Sequence, residues 1–263
     1  MKKLLIAATI CLLLGLTWGS SGTYSWGALQ VVGTLIAAVV LYAAFFAVER
    51  VAVEPILPLD LFRNRVFGVA ALLSLLQMIV LVGLVVYLPL FFQTVRQVSA
   101  TTAGALITPM TVSSVVGAAL SGFGVMALKR YRILAIVGAL LMTAGVALLT
   151  RMTPTTGTTV VLIYLVLTGL GIGPFFSILT IAAQNAIPAT RLGVGTSAVR
   201  YLGQLGAVLG VAIVGTVINT AFKANASQYV AIQHGFVAVL VFTVAALVAS
   251  CFLRDLPMTS EEH

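Results

Sequence analysis

Charge is what this sequence has least of. Only 8% of its 263 residues are Asp, Glu, Lys or Arg, against roughly a quarter in a soluble domain. No water-soluble packing of a chain that is 61% apolar, with a mean hydropathy of +1.17, could hide so much surface. A lipid bilayer must do it. Acidic residues are the scarcest, six in all, and none lies inside a long apolar run. The protonatable carboxylate usual in membrane interiors is therefore missing from these runs. Cysteine is nearly absent too: Cys11 and Cys251 stand apart in apolar surroundings, with no CxxC or Cys/His neighbour. That excludes a disulfide framework and a cysteine-ligated metal, and leaves small apolar packing residues as the simpler role. There is no H-E-x-x-H, no G-x-S-x-G, no Walker-A lysine loop and no Cys/His cluster. Neither an intramembrane hydrolase nor an ATP-driven pump has its machinery here, and no cofactor or metal is expected.

What is present is a series of eight apolar blocks, at 4–18, 26–48, 66–92, 101–128, 133–150, 160–183, 192–222 and 235–253. A span needs about 20 mostly apolar residues, and lipid cannot satisfy a free backbone, so each block is a helix or a barrel strand. Runs of this length without ten-residue alternation argue against a barrel. The expected fold is an all-α integral membrane protein of about eight transmembrane helices.

The net charge of +8 would suggest nucleic acid in a soluble protein. Here the cations fall in short clusters between apolar blocks, which is how orientation is encoded, so no nucleic-acid partner is expected. Lys2, Lys3, Arg50, Arg63, Arg65, Lys129, Arg130, Arg132, Arg191 and Arg254 lie on one side of the blocks; Arg96, Arg151 and Lys223 lie on the other. The richer side should be cytoplasmic, placing both termini inside a multi-pass cell-membrane protein. Residues 49–65 form the longest connection and divide two leading helices, 1–48, from the six-helix stretch 66–263. The first block, behind Lys2 and Lys3 and ahead of Gly19-Ser20-Ser21-Gly22, also has the form of a signal peptide.

Polar residues within the blocks are the candidates for function. Gly173, Ser177, Thr180 and Gln184 follow helical spacing and share one face of the sixth block. Pro174 removes a backbone donor in mid-helix, beside Gly169, Gly171 and Gly173. That helix is either a kinked, cavity-lining element or one packed through small residues, with Ser and Thr bonding their own backbone. In the seventh block Gly206 and Gly210 make a small-xxx-small pair with Gly203 nearby, a packing surface. Arg200, the one formal charge well within a block, shares a face with Gln204. It either serves a cavity or an anionic partner, or snorkels to the interface. Gln77 with Ser74, and Thr111 with Ser114, are weaker candidates. Trp18, Tyr24, Trp26 and Tyr87 read as interfacial belt residues, and His234 as a solvated residue at the mouth of the last helix.

Several stretches resemble one family. Glu49-Arg50, Glu54-Pro55-Ile56-Leu57-Pro58-Leu59 and Leu61-Phe62-Arg63-Asn64-Arg65 are similar to the loop before the last six helices of major facilitator superfamily drug:proton antiporters, in the fourteen-helix branch. Tyr87-Leu88-Pro89-Leu90-Phe91-Phe92-Gln93 resembles the end of its ninth helix, Ser99-Ala100-Thr101-Thr102-Ala103-Gly104 the start of its tenth, and Gly206-Ala207-Val208-Leu209-Gly210-Val211-Ala212 its glycine-rich thirteenth. Lys129-Arg130-Tyr131-Arg132, after Ser121-Gly122, is similar to the second copy of the superfamily's basic loop motif. The resemblance implies that the chain corresponds to helices seven to fourteen, with block 4–18 a helix and not a signal. It further implies multidrug efflux by proton-coupled antiport of amphipathic, often cationic, small molecules, and a partner: an N-terminal half-transporter or a second copy of the chain. Gln77, Gly173, Ser177, Thr180, Gln184, Arg200 and Gln204 would then face the substrate path. The alternative is a non-transporting membrane remnant or interaction protein from a split or truncated gene.

Overall fold

The computed structural model describes residues 2–49 and 59–255. Arg50 and the Glu54–Pro58 part of the loop resemblance lie outside the described residues. Among those described, eight helices are long and apolar enough to cross a membrane, and there is no strand. They are α1 (Lys2–Ser20), α2 (Leu29–Glu49), α3 (Arg65–Thr94), α4 (Ala100–Leu128), α5 (Tyr131–Leu149), α6 (Thr158–Asn185), α7 (Leu192–Lys223) and α8 (Gln228–Cys251). Short 3-10 turns at Leu59–Arg63 and Ala189–Arg191 precede α3 and α7.

Capping, more than hydropathy, sets where several helices begin. Asn64 caps α3, its side chain accepting from Val66 N at 2.9 Å, and Ser99 caps α4 through Thr102 N at 3.1 Å. Ser227 does the same for α8 through Val230 N. The last helix therefore starts seven residues before the apolar block that marks it in the sequence. The opening stretch, interrupted by Gln228, Gln233 and His234, is helical because its cap is filled. His234, expected at the mouth of this helix, lies well inside it on an exposed face.

Helix α6 lies between α4 and α5 and also touches α3 and α7. It pairs most extensively with α4 and α5, while α3 packs on α7 and α8. Small residues make these approaches possible. A Cβ at Gly169 would overlap the Met110 carbonyl of α4, and one at Gly171 would overlap Met142 N of α5. Pro174 does not end the helix. Its ring sits between two glycines, so that a Cβ on Gly117 of α4 or Gly138 of α5 would lie 3.2 or 3.1 Å from it. Pro174 also leaves the Leu170 carbonyl without its usual helical donor, and that oxygen faces Gly117, where a Cβ would come within 2.8 Å. On α7, Gly206 and Gly210 meet the Leu75 and Ile79 carbonyls of α3 in the same way. These contacts are van der Waals packing of backbone on backbone, the usual glue where lipid removes any hydrophobic drive between helices.

The α1–α2 pair reaches the other six helices chiefly through α7. Near one end, Leu4, Leu5 and Phe45 join a cluster with Leu61, Phe67, Ala183, Ile187 and Val199. In the middle, the hydroxyls of Thr9, Tyr42 and Tyr201 close a triangle, with 3.1, 3.0 and 2.9 Å sides. At the opposite end Asn219 of α7 donates to the Ser20 carbonyl.

The starts of α1, α3, α5 and α7 and the ends of α2, α4, α6 and α8 all lie at one end of the bundle. Interhelical bonds fix this. Asn64 donates to the Ala186 carbonyl at 2.9 Å and Asp60 pairs with Arg191 at 2.5 Å. Tyr131 donates to the Arg254 carbonyl, Arg132 N to Asp255 and the Arg132 guanidinium to the Cys251 carbonyl. Arg65 stacks over Phe252. The basic stretch 129–132 thus holds the end of α8. At the other end Arg96 donates to the Thr156 carbonyl, and burial lowers its pKa from the ordinary value.

Candidate ligand cavity

Between α3, α6 and α7 the helices part to leave a cavity of 280 Å³, lined by both polar and apolar groups. Ser74, Gln77 and Met78 come from α3; Phe175, Phe176, Leu179 and Thr180 from α6; Val199, Arg200, Gly203 and Gln204 from α7. At 1.5 Å rise per residue, Arg200 stands about 12 Å from the start of α7, Gln77 about 18 Å from the start of α3, and Thr180 about 8 Å from the end of α6. All three measure from the same end of the bundle. The cavity therefore runs from near the cation-rich end toward the middle of the helices.

The hydrogen bonding inside it is uneven. Ser74 donates to the Val199 carbonyl at 3.1 Å, and Thr180 to the Phe176 carbonyl at 3.1 Å, so both hydroxyl protons are taken. Gln77, 2% exposed, spends one amide donor on the Ile172 carbonyl at 3.3 Å. Arg200 and Gln204 are different: both line the cavity and are exposed, and no hydrogen bond or ion pair from a described residue holds either of them. The polar lining offers free N–H donors from Arg200 and Gln204 and acceptor oxygens from Ser74, Gln77, Thr180 and Gln204, backed by two phenylalanines. No Asp or Glu lines it.

Six residues singled out in the sequence, Ser74, Gln77, Thr180, Arg200, Gly203 and Gln204, are brought together here. Gly173, Ser177 and Gln184 are not. A Cβ at Gly173 would overlap the Ser114 carbonyl, and the Ser177 hydroxyl donates to the Ala118 carbonyl at 2.9 Å, so both face α4. Gln184 is exposed in the last turn of α6. Spacing alone aligned the four residues on one stripe, but α4 covers the first half of that stripe. Thr111 and Ser114 bond carbonyls of their own helix, Thr108 and Thr111. The sequence reading did not single out Met78, Phe175, Phe176, Leu179 or Val199. The aromatic pair directly after Pro174 was the available signal. The Thr9–Tyr42–Tyr201 triangle was also missed; its members lie on three helices and no spacing relates them. Among the described residues no group of His, Cys, Asp or Glu could hold a metal ion.

Eight membrane-length helices, three of them parting around a cavity of mixed lining, define a polytopic membrane protein, and comparison with known proteins supplies the family. The Major Facilitator Superfamily model matches residues 4–211. Multidrug resistance protein 3 of Bacillus subtilis is 35% identical over 83% of this chain, and multidrug transporter protein MdtP of the same organism 33% identical over 82%. The MFS-type efflux pump MMF1 of Mycosarcoma maydis is 28% identical over 97% of the chain. The chain spans about two fifths of each of these relatives, 42%, 39% and 41% of their lengths. The inward-facing, unoccupied crystal structure of a bacterial homolog of the human lysosomal transporter Spinster superposes with a TM-score of 0.63 at 17% identity, covering 96% of this chain and 66% of that one. The chain belongs to the Major Facilitator Superfamily, a family of membrane transporters and not of enzymes.

Proposed function

We propose that the chain forms the C-terminal bundle, with its two leading helices, of a fourteen-helix drug:proton antiporter, and that it transports only when a second bundle faces the α3–α6–α7 cavity. The observation that carries this reading is the cavity itself. One wall of a binding site is present, with unpartnered Arg200 and Gln204, while the groups that would close it are not among its lining residues. Transporters of this kind work by rocking two bundles about a site between them. The facing bundle is an N-terminal half-transporter or a second copy of the chain. Relatives bearing multidrug names support amphipathic small molecules as the cargo. The proton-carrying acid belongs to the facing bundle, because no Asp or Glu lies within a span here except Glu49 at the end of α2. The cation-rich end is cytoplasmic.

The test is dye export from cells stripped of their own pumps. Cells carrying the chain alone are expected to retain amphipathic dyes. Those carrying it with a complementary six-helix half are expected to export them, and an uncoupler to stop the export. Uncoupler-sensitive export by the chain alone, as a monomer, overturns the need for a second bundle.

A further inference from the structure

The resemblance to drug antiporters implies cargo that is often cationic, yet the charge in the cavity has the opposite preference. We infer that the α3–α6–α7 cavity takes the anionic end of its ligand, a carboxylate, sulfonate or phosphate carried on an apolar body. This deepens the cavity's proposed role as a substrate site and rests on it.

Three observations converge. Among the described residues Arg200 is the only charged one lining the cavity, and no described residue makes a hydrogen bond or ion pair with it. A guanidinium within a span is costly unless something satisfies it, and it is shaped to grip a planar oxyanion with two parallel bonds. Secondly, the neutral polar lining leaves that sign standing. Gln204, one turn further along α7, adds amide donors on the same side, and the Thr180 and Ser74 hydroxyls, whose protons go to carbonyls, offer lone pairs but no formal negative charge. A cation would meet Arg200 at close range, and no carboxylate among the described lining residues offsets it. Thirdly, Phe175, Phe176 and Leu179 of α6 form an apolar wall opposite Arg200. The pairing of a charged grip with an aromatic wall fits an amphipathic anion, with its head at Arg200 and its body against α6.

Helix geometry also sets the ligand's orientation. Arg200 lies nearer the cation-rich end than Gln77 does, about 12 against 18 Å from the respective helix starts. Phe175, Phe176 and Leu179 stand about 15, 14 and 9 Å from the end of α6, level with Arg200, so the apolar body lies across the cavity from the head.

The experiment uses the full chain in phosphatidylcholine nanodiscs, with three probes sharing one body: a dansylated medium-chain carboxylic acid, its methyl ester and its quaternary-ammonium analogue. Empty nanodiscs correct for partitioning into lipid. Saturable binding of the carboxylate at least about tenfold tighter than the ester is expected, equivalent to roughly 1.4 kcal/mol. Arg200→Gln should erase that preference, and Arg200→Lys should keep part of it, since it retains the charge without the fork. Folding of both variants is checked by their unfolding midpoints. The inference is overturned if the ammonium probe or the ester binds as tightly as the acid, or if R200Q binds the acid like the parent. If none of the probes binds saturably to the parent chain, the inference that this wall holds an anionic head by itself is overturned, while the proposed need for a second bundle stands on the export assay.

Discussion

At the residue scale, glycine position matters more than glycine number. Gly206 has the Leu75 carbonyl where its Cβ would be, whereas Gly33 on α2 has nothing within 4 Å of that point. Gly206→Ala should force α3 and α7 apart and cost about 1–3 kcal/mol, as overpacking generally does. Gly33→Ala should leave stability unchanged or slightly raised, because alanine is the better helix former. Unfolding midpoints in detergent separate the two; equal midpoints would mean the α3–α7 seam is not packed as described. Asn64 has a double role, capping α3 and donating to Ala186. Its replacement by Ala should lower stability by about 1 kcal/mol, measured in the same way. The Asp60–Arg191 pair beside it is half exposed on both partners, so its removal should matter less.

At the scale of elements, the sequence was most informative where a helix borders lipid and least where it borders another helix. The eight apolar blocks match the eight helices to within two residues at most ends, because lipid exposure and length leave their mark directly on composition. Helix α8 departs from this, since Gln228, Gln233 and His234 interrupt its opening turns, which Ser227 caps. The α6 stripe departs for another reason. Whether Gly173 and Ser177 face a cavity or a neighbour depends on where α4 lies, and no local pattern contains that. The same holds for the hydroxyl triangle joining α1, α2 and α7. Tyr201→Phe should cost on the order of 0.6 kcal/mol, the mean for interhelical hydrogen bonds in membranes. Adding Tyr42→Phe should cost less than the sum of the two single changes, since the residues share a bond. Strict additivity in a double-mutant cycle would show that the triangle does not act as a unit.

For the whole molecule, orientation is the property on which access to the cavity depends. Lys129 and Thr155 are both exposed and lie at opposite ends of α5. In a background without Cys11 and Cys251, Thr155→Cys should react with a membrane-impermeant maleimide in intact cells. Lys129→Cys should react only after permeabilisation. The reverse pattern would place the cation-rich end, and the near mouth of the cavity, outside. Of this site the sequence disclosed the polar members, because a charge or amide in an apolar run is conspicuous. Its apolar wall was hidden among many equivalent apolar residues.

Arg200 and Tyr201 are neighbours on α7, turned about 100° apart by helical geometry. One faces the cavity, while the other is held by Thr9 and Tyr42. Rotating α7 to withdraw the guanidinium would drag the phenol out of its triangle. The leading hairpin thus acts as a detent on α7, setting the torque needed to turn it, and a spectroscopic label on that hairpin would register such a turn without touching the cavity.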